Sequence, residues 1–106
     1  ITPQTSEKRI RYMDSISKGF IYTVSSASTT GSQSSFGKNQ TDYFKRIADL
    51  KLDNPQIIGF GISDHETFSQ ATQHAKGAII GSAFIKHVTE HGVNNLKKFT
   101  DIILKK

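Results

Sequence analysis

Three short apolar runs, each followed by a loop that contains glycine, constrain the fold of this chain most strongly. They cover residues 20–25, 57–61 and 77–81 and are rich in β-branched or aromatic side chains, which is typical of strands. Segments with helical spacing of apolar residues separate them, so the pattern predicts βα units and a parallel sheet. The N–H groups of the three loops are then expected at one sheet edge, where a phosphate could bind at a helix N-terminus.

Five helices are predicted around these strands. The first is capped by Thr5 or Ser6 and ends at Gly19, where glycine adopts the left-handed conformation. Another begins with a capping box in which Ser63 and Glu66 each bond the other's backbone. The remaining three are expected at residues 42–52, 82–90 and 94–105.

The longest segment without periodicity, residues 25–41, lies between the first strand and the second helix. It consists mostly of Ser, Thr, Gly, Asn and Gln, and Phe36 is its one large apolar residue. Loops of this length are commonly active-site lids or flexible links. Because this loop leaves the carboxyl end of a predicted strand, a lid anchored by Phe36 is favoured over a connector.

Composition argues against several classes of function. No run of about 18 apolar residues is present, so no membrane span is expected. The chain has 0 cysteines, which fits a cytoplasmic protein without disulfides. The net charge of +5 raises the question of nucleic acid binding. However, the basic residues are dispersed over helical segments and lack interleaved aromatic residues, which favours a solvated surface.

Motifs for other chemistries are weak. His87 and His91 have the H-x-x-E-H spacing of some zinc proteases, but zinc would need a third protein ligand and Gly92 ends the helix. No metal is therefore expected, and the histidines are interpreted as surface residues. The chain contains no G-x-S-x-G, Walker A or dinucleotide-binding fingerprint.

Residues 19–31, 59–63 and 77–86, in this order and spacing, closely resemble the carboxyl-terminal half of the tryptophan synthase α subunit family. Residues 2–10 also resemble that family's segment after barrel strand five. The resemblance implies an α/β fold of the (β/α)8 TIM barrel type, which takes about 250 residues. Residues 1–106 would then be one segment, strands six to eight with their helices, without the amino-terminal portion of the barrel.

The family cleaves indole-3-glycerol phosphate to indole and glyceraldehyde 3-phosphate. The resemblance therefore implies a lyase of tryptophan biosynthesis that needs no cofactor in this subunit. Its expected partners are a small phosphate substrate and a β subunit that carries pyridoxal phosphate. The two catalytic carboxylates of the family lie in its amino-terminal half, so no catalytic residue is assigned here. The segment alone is expected to be inactive.

The family pattern, carried over residue by residue, implies phosphate-binding positions at Gly31, Gly61, Gly81 and Ser82. Without the resemblance, a role in turns or in close strand–helix packing would be favoured for the same glycines over phosphate binding. Their positions agree with the rule that such barrels bind phosphate at the loops after strands seven and eight.

The resemblance also implies that Tyr22 and Phe60 lie near the indole moiety and that Thr30 belongs to the mobile loop. By position alone, Tyr22 favours plain core, and Phe60 fits ligand contact and core packing about equally. Residues 28–31 are Ser-Thr-Thr-Gly where Gly-Val-Thr-Gly is common in the family, so the loop hinge is expected to be stiffer.

Two alternatives to this function stay open at the level of sequence. One is another phosphate-binding barrel enzyme, of sugar-phosphate or isomerase type. The other is a non-catalytic half-barrel fragment, which would leave sheet edges and inward apolar faces open and should therefore associate with itself.

Overall fold

The computed structural model describes residues 1–25 and 36–105, in which parallel strands alternate with helices. The strands β1 (Ile21–Val24), β2 (Gln56–Gly59) and β3 (Gly77–Ile79) lie side by side in that order. The helices are α1 (Glu7–Ile16), α2 (Lys38–Asp49), α3 (His65–Thr72), α4 (Ser82–His91) and α5 (Leu96–Leu104), with a 3₁₀ turn at Val93–Asn95. The predicted βα units and parallel sheet are confirmed.

The sheet has one covered face and one open face, because successive strand residues point to opposite sides. Thr23 is paired with Ile58, and both are fully buried beneath the helices. Tyr22, Ile57 and Ile79 lie on the other face, where Ile79 remains 37% exposed. The buried core on the covered side consists of Ile10, Phe36, Tyr43, Phe44, Ile47, Ile58, Ile62 and Ala71.

Helix α2 begins at Lys38, four residues before its predicted start at residue 42. Its apolar side follows the expected spacing, with Phe44 and Ile47 almost completely buried. Phe36 precedes the helix and packs edge-on against Phe44, with ring centroids 5.3 Å apart. Its N–H also donates to Gln70 Oε1 at 2.9 Å. Phe36 is therefore a residue of the main core, and residues 26–35 of the predicted lid lie outside the described residues.

Helix α1 starts as predicted and ends earlier than predicted. Ser6 is its N-cap, and the Ser6 hydroxyl accepts the Arg9 N–H at 3.2 Å. The helix stops at Ile16 because Ser17 is already extended. Gly19 lies two residues beyond that cap, so its predicted role as the left-handed helix end is wrong.

The capping box of α3 exists, but its predicted members are wrong. Asp64 is the N-cap, and its carboxylate accepts the Thr67 N–H at 2.9 Å. The Thr67 hydroxyl accepts the Asp64 N–H in return, at 3.2 Å. These two residues take the roles predicted for Ser63 and Glu66, one position further along the chain. Thr67 has a shorter side chain than the predicted Glu66, but it can bond the Asp64 N–H because it is fully buried beside the cap.

Asp14 fastens the end of α1 to the loop that precedes β2. Its carboxylate accepts the backbone N–H groups of Asp53 and Asn54 at 2.8 and 2.9 Å, and also the Asn54 side-chain amide at 2.9 Å. Burial by itself disfavours the charged carboxylate, but these hydrogen bonds stabilise it more strongly and hold the pKa of Asp14 below its ordinary value.

Candidate functional site

A cleft of about 230 Å³ opens at the carboxyl ends of the three strands. Its walls are formed by Tyr22, Phe60, Gly61, Ile62, Ile79, Gly81 and Ser82. The structure therefore brings together Tyr22, Phe60, Gly61, Gly81 and Ser82 from the predicted substrate-binding set. Gly31 and the mobile-loop residue Thr30 lie outside the described residues.

A larger cavity, of about 350 Å³, lies at the opposite, amino-terminal ends of β2 and β3. Its lining includes Pro55 and Gln56 at the start of β2 and Lys76 before β3, and none of the predicted site residues. Barrels and open parallel sheets bind their ligands at the carboxyl ends of strands. The smaller cleft is therefore the better candidate for the functional site.

Gly59 is required at the end of β2 because the Tyr22 side chain lies directly over it. A Cβ on residue 59 would overlap the Tyr22 hydroxyl and would lie 2.6 Å from its Cζ. Position in the sequence alone favoured plain core for Tyr22, whereas the structure leaves its side chain partly buried and lining the cleft from the open face. The absence of a side chain at Gly59 thus lets the Tyr22 ring lie across β2 and line the cleft.

The turn after β2 is left-handed at two consecutive residues. Phe60 has φ +72° and Gly61 has φ +80°. A bulky non-glycine residue rarely adopts this conformation. It turns the Phe60 ring outward, where the ring remains 41% exposed and meets Tyr22 edge-on at 6.4 Å between centroids. Together with Ile79, these rings give the cleft an apolar wall.

The other side of the cleft is the start of α4, which has no side-chain cap. Gly81 is the N-cap and the first intrahelical bond runs from the Ile85 N–H to the Gly81 carbonyl at 3.0 Å. The N–H groups of Ser82, Ala83 and Phe84 therefore lack an intrahelical acceptor. They carry the positive end of the helix dipole and can donate hydrogen bonds to an anion.

The described lining contains no Asp, Glu, Lys, Arg or His side chain. An anion in the cleft would therefore be bound by neutral N–H and O–H donors and by the helix dipole. Apart from the Tyr22 phenol, no described lining residue has an ionisable group that could transfer a proton. The arrangement suits binding of a phosphate joined to an apolar ring, and acid–base chemistry would need groups from elsewhere.

Ser25, immediately after β1, supports the site and was missed by the sequence interpretation. It is fully buried, its N–H donates to the Gly59 carbonyl at 2.9 Å, and its hydroxyl donates to the Phe60 carbonyl. The available signal was its position, a small polar residue at the carboxyl end of a predicted parallel strand. The sequence interpretation includes Ser25 at the end of the first strand-like run and at the start of the following loop, and assigns it no role.

The two histidines of the H-x-x-E-H spacing, His87 and His91, differ in burial. His87 is 9% exposed, its Nε2 is 3.0 Å from the Asn95 carbonyl oxygen, and its ring lies 5.2 Å from that of Phe99. The prediction of a surface residue is wrong for His87, because α5 packs against that side of α4. His91 is exposed, as predicted. Among the described residues, no group of three or more His, Cys, Asp or Glu side chains could hold a metal ion.

Most of the described basic residues lie on exposed helix faces, as predicted. Arg11, Lys45 and Lys97 each form an ion pair with a carboxylate four residues away, at 2.7 to 2.9 Å. Such pairs are typical of solvated helix surfaces. Within the described part of the chain, no helix is long and apolar enough to cross a membrane.

Comparison with known proteins identifies close relatives. The protein-family model of the tryptophan synthase alpha chain matches residues 1–105. The tryptophan synthase alpha chain of Flavobacterium psychrophilum is 66% identical over 103 residues, which cover 97% of this chain and 41% of that protein. The alpha chain of Christiangramia forsetii is 66% identical over 99 residues, which cover 93% of this chain and 39% of that protein. The chain thus spans about two fifths of the length of these curated relatives, in their carboxyl-terminal part.

Solved structures agree with the sequence comparison. The tryptophan synthase α2β2 complex of Pyrococcus furiosus aligns with a TM-score of 0.80 and 30% identity, covering 100% of this chain and 44% of that chain. A structure of the α-subunit alone from the same organism aligns with a TM-score of 0.80 and 29% identity, and the alignment covers 100% of this chain and 43% of that chain. The three βα units are therefore part of a (β/α)8 barrel, which confirms the predicted fold class.

Proposed function

Because the chain belongs to the tryptophan synthase alpha chain family, we propose that it is the substrate-anchoring part of a lyase that cleaves indole-3-glycerol phosphate to indole and glyceraldehyde 3-phosphate. One observation carries this proposal. The cleft places the uncapped start of α4 opposite the Tyr22 and Phe60 rings. A ligand with a phosphate at one end and an indole at the other matches both walls.

The phosphate would bind to the N–H groups at the start of α4, the Ser82 hydroxyl and the turn at Gly61. Hydrogen bonds to a charged group are worth about 1.5–3 kcal/mol each. Binding energy at this remote phosphate can orient the glycerol and indole groups for reaction. Gly31 and Thr30 would complete the anchor and the mobile loop from the segment outside the described residues.

The reaction itself needs acid–base groups that the described cleft lacks. One carboxyl group would protonate the indole ring carbon, and a carboxylate would take the proton of the glycerol hydroxyl. The bond between that ring carbon and the glycerol carbon then breaks. These groups would come from the part of the barrel that this chain does not cover. We therefore expect the 106-residue chain alone to be inactive, and the complete subunit to need no cofactor.

The complete protein would act with a β subunit. The solved relative from Pyrococcus furiosus is described as an α2β2 complex. By extension, the indole released here would pass to a β subunit that carries pyridoxal phosphate. A biosynthetic enzyme of this kind would work in the cytoplasm.

The test uses a full-length α chain in which these 106 residues are completed with the amino-terminal part of the Flavobacterium psychrophilum relative. We expect it to release indole from indole-3-glycerol phosphate. Ser82→Asp should raise KM at least about tenfold, because it puts a negative charge where the phosphate binds. Thr89→Asp adds the same charge near the far end of α4 and should leave KM unchanged.

Asp is well tolerated in the first turn of a helix, so Ser82→Asp should not unfold the protein. A folded full-length chain that releases no indole would contradict the proposal, as would equal KM values for the two variants. Binding of indole propanol phosphate no tighter than that of glycerol phosphate would favour another phosphate-binding barrel enzyme instead.

A further inference from the structure

Ser25 lies behind the cleft, where it holds the turn after β2 from its buried side. The residue is fully buried and does not line the cleft. Its N–H donates to the Gly59 carbonyl at 2.9 Å and its hydroxyl donates to the Phe60 carbonyl. One side chain with its own backbone thus fixes two successive carbonyl groups of this turn.

The turn needs such support because its conformation is unfavourable for the residue that occupies it. Phe60 has φ +72°, in the left-handed region that costs a bulky L-residue conformational energy. Strained residues of this kind persist only where surrounding contacts fix them. The two hydrogen bonds from Ser25 are contacts of that kind.

The geometry of the next peptide links Ser25 to the cleft. All peptide bonds in the described residues are trans, so the C=O and N–H of the Phe60–Gly61 peptide point in opposite directions. Because the oxygen is bound by Ser25, the Gly61 N–H is directed away from Ser25. Gly61 lines the cleft, and no described residue accepts a hydrogen bond from its N–H.

We propose that Ser25 is a positioning residue for substrate binding: by holding the Phe60 carbonyl, it aims the Gly61 N–H at the phosphate group in the cleft. This inference rests on the proposed function. Without the Ser25 hydroxyl, the Phe60–Gly61 peptide can rotate and the phosphate loses one oriented donor. The residue itself does not touch the substrate.

Thr23 provides a matched control, because it lies in β1 two residues before Ser25. It is also fully buried, but among the described residues its hydroxyl has no hydrogen-bond partner. Thr23→Val removes this hydroxyl with little change in shape. Ser25→Ala removes a hydroxyl that is hydrogen-bonded to the turn. The two variants therefore separate loss of a buried hydroxyl from loss of the support.

The experiment measures dissociation constants of glycerol phosphate and of indole separately, with the full-length chain described above. We expect Ser25→Ala to weaken glycerol phosphate binding about tenfold, the effect of one charge-assisted hydrogen bond. Indole binding should change less than about twofold, and KM should rise more than kcat falls. Thr23→Val should bind both ligands like the unsubstituted chain.

Failure of the two proposals can be told apart. If the unsubstituted chain does not bind glycerol phosphate, the proposed function itself is wrong. If it binds and Ser25→Ala binds equally well, or if Ser25→Ala weakens indole binding to the same extent, the positioning role is overturned. Should Ser25→Ala not fold, Ser25→Cys replaces the hydroxyl with a much poorer hydrogen-bond donor of similar size, so it should also weaken glycerol phosphate binding. Undiminished glycerol phosphate affinity in Ser25→Cys would overturn the role, and weakened affinity with normal indole binding would support it.

Discussion

At the scale of single residues, the cleft depends on two exceptions to ordinary strand geometry. Gly59 leaves room for the Tyr22 ring, and Phe60 takes a left-handed conformation that directs its own ring outward. The importance of the glycines could be predicted from the sequence because they follow strand-like runs. The contact of Tyr22 with Gly59 could not be predicted, because it depends on the register between β1 and β2. Likewise, no sequence rule assigns a positive φ to Phe60.

Gly59→Ala should destabilise the full-length chain by about 1–3 kcal/mol, because the new methyl group must displace the Tyr22 ring. Gly77→Ala is the control, since a Cβ there meets no atom within 4 Å. Chemical denaturation measures both. Equal stability of the two variants would show that Tyr22 does not pack against Gly59 as described.

Phe60→Gly should leave the free energy of unfolding within about 1 kcal/mol of the unsubstituted value. Relief of the left-handed strain offsets the loss of a ring that is already 41% exposed. Indole binding should nevertheless weaken at least about fivefold, because the ring forms part of the apolar wall. Calorimetric titration with indole tests this, and unchanged affinity would remove Phe60 from the proposed indole contact.

At the scale of elements, hydrophobic spacing predicted the helices better than it predicted their ends. α2 starts four residues early because Phe36 packs into the core just before it, and α3 is capped by Asp64 because the Thr67 side chain is buried beside that cap. The start of α2 depends on a tertiary contact, and the cap of α3 depends on the burial of a side chain. Hydrophobic spacing in the sequence reports neither. The uncapped start of α4 follows more directly from Gly81 and Ser82, which offer no capping side chain in this geometry.

The junction between α1 and the loop before β2 should weaken in acid. Because the pKa of folded Asp14 lies below the ordinary value of 3.8, its charged form stabilises the fold above that pH. This contribution is lost as the pH falls from 3.8 through the folded pKa. Asp14→Asn should cost about 3 kcal/mol at pH 7, since it leaves buried N–H donors without an anionic acceptor.

The difference in stability between Asp14→Asn and the unsubstituted chain should therefore shrink below pH 3.8. Asp49→Asn is the control, because Asp49 makes an exposed ion pair with Lys45. Urea denaturation across the acidic range gives both differences. A constant difference for Asp14→Asn at all pH values would contradict the proposed charge state.

At the scale of the whole molecule, the sheet is incomplete on one face and at both edges. Among the described strands, β1 and β3 each pair with β2 alone, and the face with Ile57 and Ile79 has no helix layer over it. The resemblance of the sequence to part of a barrel predicted this incompleteness. The placement of the cleft could also be predicted, because parallel strands bring their loops to one edge.

The 106-residue chain on its own should associate with itself through the open face. Ile79→Lys should lower the association measured by sedimentation velocity, because a charge on that face is costly to bury. Thr89→Lys adds the same charge on the exposed side of α4 and should not change it. A chain that sediments as a monomer at all concentrations would contradict this prediction.

The most direct test of the phosphate anchor is an amide chemical-shift titration of the full-length chain with glycerol phosphate, followed by nuclear magnetic resonance. The account predicts the largest shifts at the N–H groups of Gly61, Ser82 and Ala83, with little change at Lys76 beside the larger cavity. Saturable shifts centred on the Lys76 cavity, or no saturable shift at the start of α4, would contradict the assignment of this cleft.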